Sequence, residues 1–259
     1  MKKAAVPALL AVLLLCGCQE GAASSDPVPP PKTAQEVLEE QPVDDTHDAF
    51  LVDTGGRMGT LLVTTELVAY EEPEELLYYL HLSVWDPSAP GEPIQIQEID
   101  WETVHYGEHQ IVDVNFDGFQ DFTYLFYRGI QAEGYHCMIW DEEQELFVEE
   151  PEYAAISSPV LDPETQTIYG WNRESAASDG VSTIHKWEDG ELVCVRRIEV
   201  YKIDGWGGPF ALTVQDRVNG ELTEVFRTEF PAGSEEYFDE RAKWKHLDYH
   251  GEEDNQISS

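Results

Sequence analysis

From Phe50 onward, short runs of β-branched and aromatic residues alternate with clusters of turn-forming residues. The runs include "TLLVTTELVAY", "LLYYLHLSVW", "DFTYLFYR", "YHCMIW" and "ELVCVRRIEVY". The segments between them, such as "DPSAPGEP", "NFDG", "WEDG" and "VNGE", are rich in Asp, Asn, Gly and Pro. Runs of this kind, bounded by such turns, are typical of β-strands. The pattern predicts an all-β domain over residues 47–250, which is long enough to enclose a hydrophobic core.

Three segments repeat a loose hairpin pattern of strand, acidic turn, leucine and strand. They are "MIWDEEQELFVEE", "HKWEDGELVCVRR" and "VQDRVNGELTEVF", and Trp140 and Trp187 hold matching places in the first two. Repeated hairpins are expected of a β-propeller. A β-sandwich with long hairpins would give much the same pattern. The sequence therefore favours a β-propeller-like domain, with a β-sandwich as the alternative, and short helices at "TAQEVLEEQ" and "SEEYFDERAKWKH".

The N-terminus has the features of a lipoprotein signal. Two lysines precede a run of about a dozen mostly apolar residues. That run is too short to cross a membrane as a helix, which takes roughly 20 apolar residues. The tetrad before Gln19 resembles the bacterial lipobox, in which a small residue precedes the lipidated cysteine, and Gly17 makes Cys18 a better acceptor than Cys16. The alternative is an ordinary cleaved signal.

These features predict the organisation of the whole chain. We expect a signal peptide at residues 1–17, lipidated Cys18 with a flexible tether over residues 18–46, and a disordered tail at residues 251–259. The tether is small, polar and proline-rich, so it cannot bury enough apolar surface to fold. The predicted location is outside the cytoplasm, with a lipid anchor in the outer face of the cytoplasmic membrane or in the outer membrane.

The chain is strongly acidic, with 52 Asp and Glu against 15 Lys and Arg and a formal net charge of −37. Such a surface repels nucleic acids and anionic lipid headgroups. The charge argues against nucleic-acid binding, leaves the lipid anchor as the expected membrane contact, and favours a cationic partner.

Two cysteines besides the lipobox pair, Cys137 and Cys194, lie in strand-like runs. An exported protein can join such residues in a disulfide. Each also fits as a small buried apolar side chain on a strand. The sequence leaves both alternatives open.

The segment "DVNFDGFQD", between two predicted strands, has oxygen-bearing side chains at alternate positions. Asp113, Asn115 and Asp117 fall at positions 1, 3 and 5, and Gly118 follows at position 6, where a sharp turn is needed. Calcium is a hard cation that takes six to eight oxygen ligands, and short loops supply them at this spacing. The alternative is a plain hairpin turn, which selects the same residue types.

Two more residues complete the predicted calcium site. Phe119 can offer its backbone carbonyl at position 7, and Asp121 follows at position 9. Position 12 is Tyr124, where an EF-hand needs a bidentate Glu, and a strand follows instead of a helix. Packed carboxylates repel one another, and a cation would relieve that repulsion. The spacing therefore favours calcium over the plain turn.

At this point the sequence resembles a family of exported bacterial proteins with one integrin-type calcium loop in a β-propeller-like domain. The resemblance is specific at "DVNFDGFQDF" and looser at "MIWDEEQELFV" and "SSPVLDPETQTIYGWNRESAASDGVSTIHKWEDGELVCVRR", and it covers residues 105–200. It implies that characterised members are calcium-dependent inhibitors of family-19, lysozyme-like glycoside hydrolases. An inhibitory loop does not follow from it residue by residue. The calcium ligands that it implies are Asp113, Asn115, Asp117, Phe119 and Asp121.

Two motifs imitate catalytic sites. "LVDTGG" contains the Asp-Thr-Gly of aspartic proteases at Asp53, but that chemistry needs a second such carboxylate. "HYGEH" fits the H-x-x-E-H pattern of zinc peptidases through His105, Glu108 and His109, but the side chains converge only on a helix, and Gly107 and the flanking strand patterns oppose one. We therefore expect no enzyme activity.

The predicted function is that of a lipid-anchored, extracytoplasmic, calcium-binding protein. We expect it to bind a lysozyme-like cell-wall glycoside hydrolase, with inhibition of that enzyme as the stronger form of the expectation. The alternative is a non-inhibitory envelope module that binds cell-wall glycan or another protein and uses calcium for stability alone.

Overall fold

The computed structural model describes residues 34–40, 46–72, 75–89, 91–101, 108–173, 179–204 and 207–251. The helices are short: α1 (Ala34–Glu40), α2 (Pro151–Ala154) and α3 (Glu236–Trp244). The first and third coincide with the two helices predicted from the sequence. Within these ranges, no helix has the length and apolar character needed to cross a membrane.

The strands form three antiparallel sheets, each built from strands that follow one another along the chain. The first sheet contains β1 (His47–Asp53), β2 (Thr60–Glu72), β3 (Glu75–Trp85) and β4 (Gln95–Trp101). The second contains β5 (His109–Val112), β6 (Asp121–Arg128), β7 (Glu133–Asp141) and β8 (Leu146–Glu149). The third contains β9 (Val160–Asp162), β10 (Thr167–Arg173), β11 (Gly180–Glu188), β12 (Glu191–Lys202), β13 (Phe210–Val218) and β14 (Glu221–Phe230).

The hairpin turns follow from residues that tolerate a positive φ angle. Asp189 and Gly190 join β11 to β12 with φ angles of 51° and 85°, and Asn219 and Gly220 join β13 to β14 with φ angles of 54° and 90°. Asn, Asp and Gly adopt this region most readily, and two such residues make the turn that matches the twist of paired strands. The turn signals "WEDG" and "VNGE" are confirmed as hairpins.

The second sheet is the middle layer of the fold. Residues along its strands alternate between two faces, and each face packs against a different sheet. On one face, Phe122, Met138 and Trp140 pack against the first sheet through residues such as Val52 and Leu80. This face forms the larger of its two cores.

The opposite face of the second sheet forms another core. There Tyr135 and Cys137 pack with Tyr153 of α2, Ile168 of β10 and Leu192 of β12. A third core lies farther along the third sheet, where β12, β13 and β14 pack against α3 through residues such as Leu212 and Trp244.

The predicted all-β fold class is confirmed. Each sheet is an antiparallel meander of the kind that the hairpin repeats predicted. The sheets are not closed into a barrel, and their face-to-face packing is sandwich-like. The packing of the sheets against one another therefore fits the alternative prediction of a β-sandwich. Each sheet taken alone has the meander strand order of a propeller blade.

The structure decides between the two alternatives for the cysteines. Cys137 lies on β7 in the middle sheet, Cys194 lies on β12 in the third sheet, and both are free thiols. Burial raises the pKa of each thiol and favours its protonated form. The structure therefore shows two separate thiols in place of the disulfide alternative, with Cys137 buried and Cys194 partly buried.

Some predictions concern segments outside the described residues. These are the signal peptide, Cys18 with most of its tether, and residues 252–259 of the tail.

Candidate metal-binding loop

The predicted calcium loop connects β5 to β6, whose pairing places Val112 opposite Asp121. Its apolar residues anchor it on both sides of the middle sheet. Val114 is fully buried in the core shared with the third sheet, and Phe116 packs against that core. Phe119 packs against the core shared with the first sheet. This anchoring presents the polar side chains of the loop at its exposed surface.

Gly118 is needed for the backbone conformation of the loop and not for lack of space. Its φ angle is 94°, and an added Cβ atom would meet nothing within 4 Å. Phe116 also has a positive φ angle, 59°, which is uncommon for a bulky residue. The loop therefore contains two residues in the left-handed region, one of them a glycine at the predicted turn position.

The backbone of the loop folds around its own side-chain oxygens. Asp113 Oδ1 accepts a hydrogen bond from the Asp117 amide at 3.1 Å, and Asp113 Oδ2 accepts one from the Gly118 amide at 2.9 Å. Asp117 Oδ1 accepts from the Phe119 amide at 2.8 Å. Asn115 Nδ2 donates to Asp117 Oδ2 at 2.7 Å, and Asn115 Oδ1 accepts from the Asp117 amide at 3.2 Å. These bonds bring Asp113, Asn115 and Asp117 together.

Asp121 lies beneath them and is fully buried. Its Oδ2 accepts a hydrogen bond from the Val114 amide and its Oδ1 accepts one from the Trp140 amide, both at 2.8 Å. Burial raises the pKa of Asp121 to about 7 against the lowering effect of these two bonds, and the charges of Asp117 and Asp113 raise it further. The loop therefore holds a buried carboxyl group next to the half-buried carboxylate of Asp113 and the exposed one of Asp117.

The nearest Lys or Arg along the chain does not neutralise this cluster. Arg128 lies at the far end of β6, where its guanidinium binds Glu108 through two bonds of 2.8 and 2.6 Å and Glu133 through one of 2.8 Å. Like charges packed without a cation disfavour their ionised forms. A bound cation would relieve that repulsion.

The donor set of the loop fits calcium in its chemistry. Each carboxylate oxygen has two lone pairs, so an oxygen that accepts one hydrogen bond from a backbone amide keeps a further acceptor position. The ligands would be the oxygens of Asp113, Asn115, Asp117 and Asp121 and the carbonyl of Phe119. Within the described ranges, no three His, Cys, Asp or Glu side chains form a metal-binding group by themselves.

The Asp-Thr-Gly motif ends β1 and forms a turn beside the candidate loop. Asp53 Oδ1 accepts from the Gly55 amide at 3.0 Å, and the Asp53 amide donates to Gln120 Oε1 at 2.9 Å. An added Cβ atom on Gly55 would lie 3.2 Å from the Phe119 ring. This motif supports the loop from the first sheet.

The H-x-x-E-H motif is not helical where it is described. His109 begins β5, stacks on Phe50 with ring centroids 3.9 Å apart, and bonds to Asp48 Oδ2 through Nδ1 at 2.5 Å. Glu108 is paired with Arg128. His105 lies outside the described residues. Glu108 and His109 therefore have structural partners in place of the roles that the motif would give them.

Sequence reasoning missed two tryptophans that hold the candidate loop. The Trp187 indole N–H donates to the Val114 carbonyl at 3.0 Å, and the Trp140 amide binds Asp121. The signal was present in the two hairpin repeats, where Trp140 and Trp187 hold matching places. Trp187 reaches the loop only through the packing of the third sheet on the second, and Trp140 reaches it through the pairing of β7 with β6.

No protein-family model and no curated protein matches the chain. One solved structure, described as that of a Xanthomonas Type IV Secretion System related protein, is similar to it, with 15% sequence identity and a TM-score of 0.44. The similarity covers 69% of this chain and 93% of the other. A similarity this distant says nothing about the function of the chain.

Proposed function

We propose that the protein is a calcium-stabilised binding protein without enzyme activity, lipid-anchored at Cys18 outside the cytoplasm. Its partner would be a lysozyme-like glycoside hydrolase of the cell wall, and its action on that enzyme would be inhibition. The anchor follows from the lipobox pattern, and the partner follows from the resemblance at residues 105–200.

The observation that carries the calcium part is the setting of Asp121. A fully buried carboxyl group that is next to Asp113 and Asp117 is costly to ionise. A plain hairpin turn would use this carboxyl group only to accept the Val114 and Trp140 amides, whereas a calcium ion would stabilise all three carboxylates at once. The ion would act as a structural clamp between the loop and β7, to which Asp121 is already bonded.

Calcium titration calorimetry on the purified protein tests this proposal. We expect one site for the wild type and at least about a tenfold weaker site for Asp117→Asn, because a neutral ligand replaces a charged one. Asn keeps an acceptor oxygen for the Phe119 amide, so the turn itself should survive. Asp86→Asn is the matched control, since Asp86 Oδ1 accepts a hydrogen bond from the Ser88 backbone amide in a turn elsewhere in the chain. Equal binding by all three proteins, or no wild-type binding at several millimolar calcium, would refute a calcium site in this loop.

The partner requires a separate assay. Micromolar protein with calcium should inhibit a family-19 lysozyme-like hydrolase, and Asp117→Asn should inhibit it less. Binding to such an enzyme or to a glycan array without inhibition would select the non-inhibitory envelope module. A panel of lysozyme-like and chitinase-like enzymes that is unaffected in the presence of calcium would contradict the inhibitory part.

A further inference from the structure

An open cleft of about 380 Å³ lies beside the candidate loop. Its walls come from three places in the chain: Asn115 of the loop, the β7–β8 hairpin and the β11–β12 hairpin. The apolar part of the lining includes Trp187 and Val148, whose side chain is 43% exposed. The cleft therefore combines an aromatic surface with free access from solvent.

The polar part of the lining is acidic. Asp141, Glu149 and Glu150 line the cleft, and among the described lining residues none is basic. Glu149 Oε1 is already bonded to His136 Nδ1 at 3.0 Å, so the carboxylates of Asp141 and Glu150 are the ones that can face a cation. Asp141 Oδ1 accepts hydrogen bonds from the backbone amides of Glu143 and Gln144 in its own turn, and Glu150 Oε1 accepts one from the Glu152 amide at 2.9 Å. Those bonds use some of the acceptor positions and leave others for a ligand. Burial raises the pKa of Glu150, so a cation in the cleft would favour its ionised form.

The cleft is built on the candidate loop. The Trp187 indole is fixed by its 3.0 Å bond to the Val114 carbonyl, and Val114 in turn donates its amide to Asp121. Trp140, also in the lining, donates its amide to Asp121 at 2.8 Å. One buried side chain therefore connects the loop to both tryptophans.

We propose that this cleft is the docking site for an arginine or lysine side chain of a basic protein partner. A guanidinium or ammonium group over an indole face gains a cation–π interaction, and the carboxylates complement its charge. The formal net charge of −37 would draw a basic partner toward the surface before it docks. This inference rests on the proposed binding function, and it adds the chemistry of the partner and the place where it binds.

Fluorescence anisotropy with a labelled Gly-Ser peptide that carries two arginines tests the inference at low ionic strength. The control probe is the same peptide with citrulline, which has the shape of arginine but no charge. We expect the full-length protein to bind the arginine peptide at least about tenfold more tightly than the citrulline peptide. Trp187→Phe should weaken binding of the arginine peptide about three- to fivefold, because phenylalanine is a weaker cation–π partner than tryptophan.

Two charge-matched double variants separate the cleft from the general field of the protein. Asp141→Asn with Glu150→Gln removes two charges at the cleft and keeps the acceptor oxygens that hold the turn and the helix cap. Glu221→Gln with Glu224→Gln removes two exposed charges on β14. We expect at least about a fivefold loss of arginine-peptide affinity for the first and less than about a twofold loss for the second. Equal losses, or no loss in either, would overturn the inference.

The two proposals fail separately. Calorimetry without calcium binding, together with arginine-peptide binding that depends on the cleft residues, would remove the calcium function and leave the docking site. Calcium binding at the loop, together with peptide binding that does not depend on the cleft residues, would remove the docking site and leave the calcium function.

Discussion

Arg196 is a charged side chain that is only 1% exposed, and all three of its guanidinium nitrogens donate hydrogen bonds. Its Nε and Nη2 atoms donate to the two carboxylate oxygens of Asp216 at 2.6 and 2.8 Å. Its Nη1 atom donates to the carbonyls of Trp244 and His246 at 3.1 and 2.8 Å. The guanidinium also lies 5.0 Å from the centre of the Trp244 ring. One residue therefore joins β12, β13 and the end of α3.

Replacing Arg196 should strongly destabilise the protein. We expect Arg196→Ala to lower the free energy of unfolding by about 3 kcal/mol, because it leaves Asp216 without its partner and two carbonyls without a donor. Urea denaturation measures the loss. Arg197→Ala is the matched control, because this neighbour is 39% exposed and its contact with Glu199 is 3.8 Å long. An exposed pair of this kind contributes less than about 1 kcal/mol. Similar losses at the two positions would mean that the buried network is not a main support of α3.

His185 is largely buried on β11, and its Nε2 atom has no hydrogen-bond partner among the described residues. Burial lowers the pKa of His185 to about 4. The unfolded chain takes up this proton near pH 6.5, whereas the folded protein resists it until about pH 4. The unfolded state therefore binds more protons in this window, and folding stability falls as the pH drops from 6.5 to 4. Above pH 6.5, both states are neutral at this position and the effect vanishes.

The difference between wild type and His185→Leu isolates this effect from other titrating groups. Relative to the variant, the wild type should lose up to about 3 kcal/mol between pH 6.5 and 4, at 1.36 kcal/mol for each unit of pKa difference. Urea denaturation across this range provides the measurement. The exposed His250, replaced by Gln, is the control for the loss of a surface histidine. Parallel curves for wild type and His185→Leu would contradict a neutral His185 in the folded protein.

At the scale of elements, Gly170 sets how closely β10 approaches its neighbours. An added Cβ atom would lie 2.5 Å from Thr183 Oγ1 on β11 and 2.7 Å from Ile156 Cγ2. The Trp171 amide, next along β10, donates to the Ser157 carbonyl at 2.6 Å. The segment after α2 is therefore packed directly onto the third sheet, with no room for a larger residue at position 170.

Gly170→Ala should destabilise the protein by about 1–3 kcal/mol, because one methyl group must push apart β10 and the segment after α2. Gly91→Ala is the control, since an added Cβ atom there would meet nothing within 4 Å and its φ angle is not in the left-handed region. Alanine at such a site is neutral or stabilises by up to about 1 kcal/mol. Thermal unfolding distinguishes the two. A stable Gly170→Ala protein would mean that the layers separate easily at this point.

At the scale of the whole molecule, calcium should raise thermal stability through binding to the folded state alone. With about 1 mM calcium and a Kd of about 10⁻⁴ M, the gain is about 1.4 kcal/mol. For a domain of this size, that gain corresponds to a rise in Tm of about 3–6 °C. Differential scanning fluorimetry with and without calcium measures it.

Salt complicates this prediction, because a net charge of −37 repels itself and any electrolyte screens that repulsion. The controls are therefore NaCl at matched ionic strength, magnesium at matched concentration, and Asp117→Asn in calcium. If the loop binds calcium specifically, calcium should raise the Tm of the wild type, and magnesium and NaCl should not. The Tm of Asp117→Asn should not rise in calcium. The same rise under all conditions would show that calcium acts only as a screening ion.

Much of the fold follows from the sequence because its signals are local. The alternation of apolar and polar residues predicts strands, and Asp-Gly and Asn-Gly predict the hairpins after β11 and β13. The spacing in "DVNFDGFQD" also predicts which side chains the loop brings together, since a nine-residue segment has few ways to fold around its own oxygens. Whether those oxygens hold calcium stays a prediction.

The rest depends on contacts between residues far apart in the chain. Several short antiparallel meanders can form a ring of blades or a stack of layers, because both use the same strand pattern. Strand propensity alone also does not indicate that the second sheet buries both faces. Nor does it separate a disulfide between Cys137 and Cys194 from two isolated thiols, since the choice depends on which sheet each residue joins.

The sequence by itself determined the strand content, the turns, the acidic surface and the set of oxygen donors between β5 and β6. Each of these depends on composition or on spacing over a few residues. Only the tertiary structure decided that Asp121 is buried, that Trp187 binds the loop, and that acidic residues of β7 and β8 share a cleft with it. Burial and convergence depend on how sheets pack, and residues separated by about 70 positions meet there only because the second sheet lies against the third.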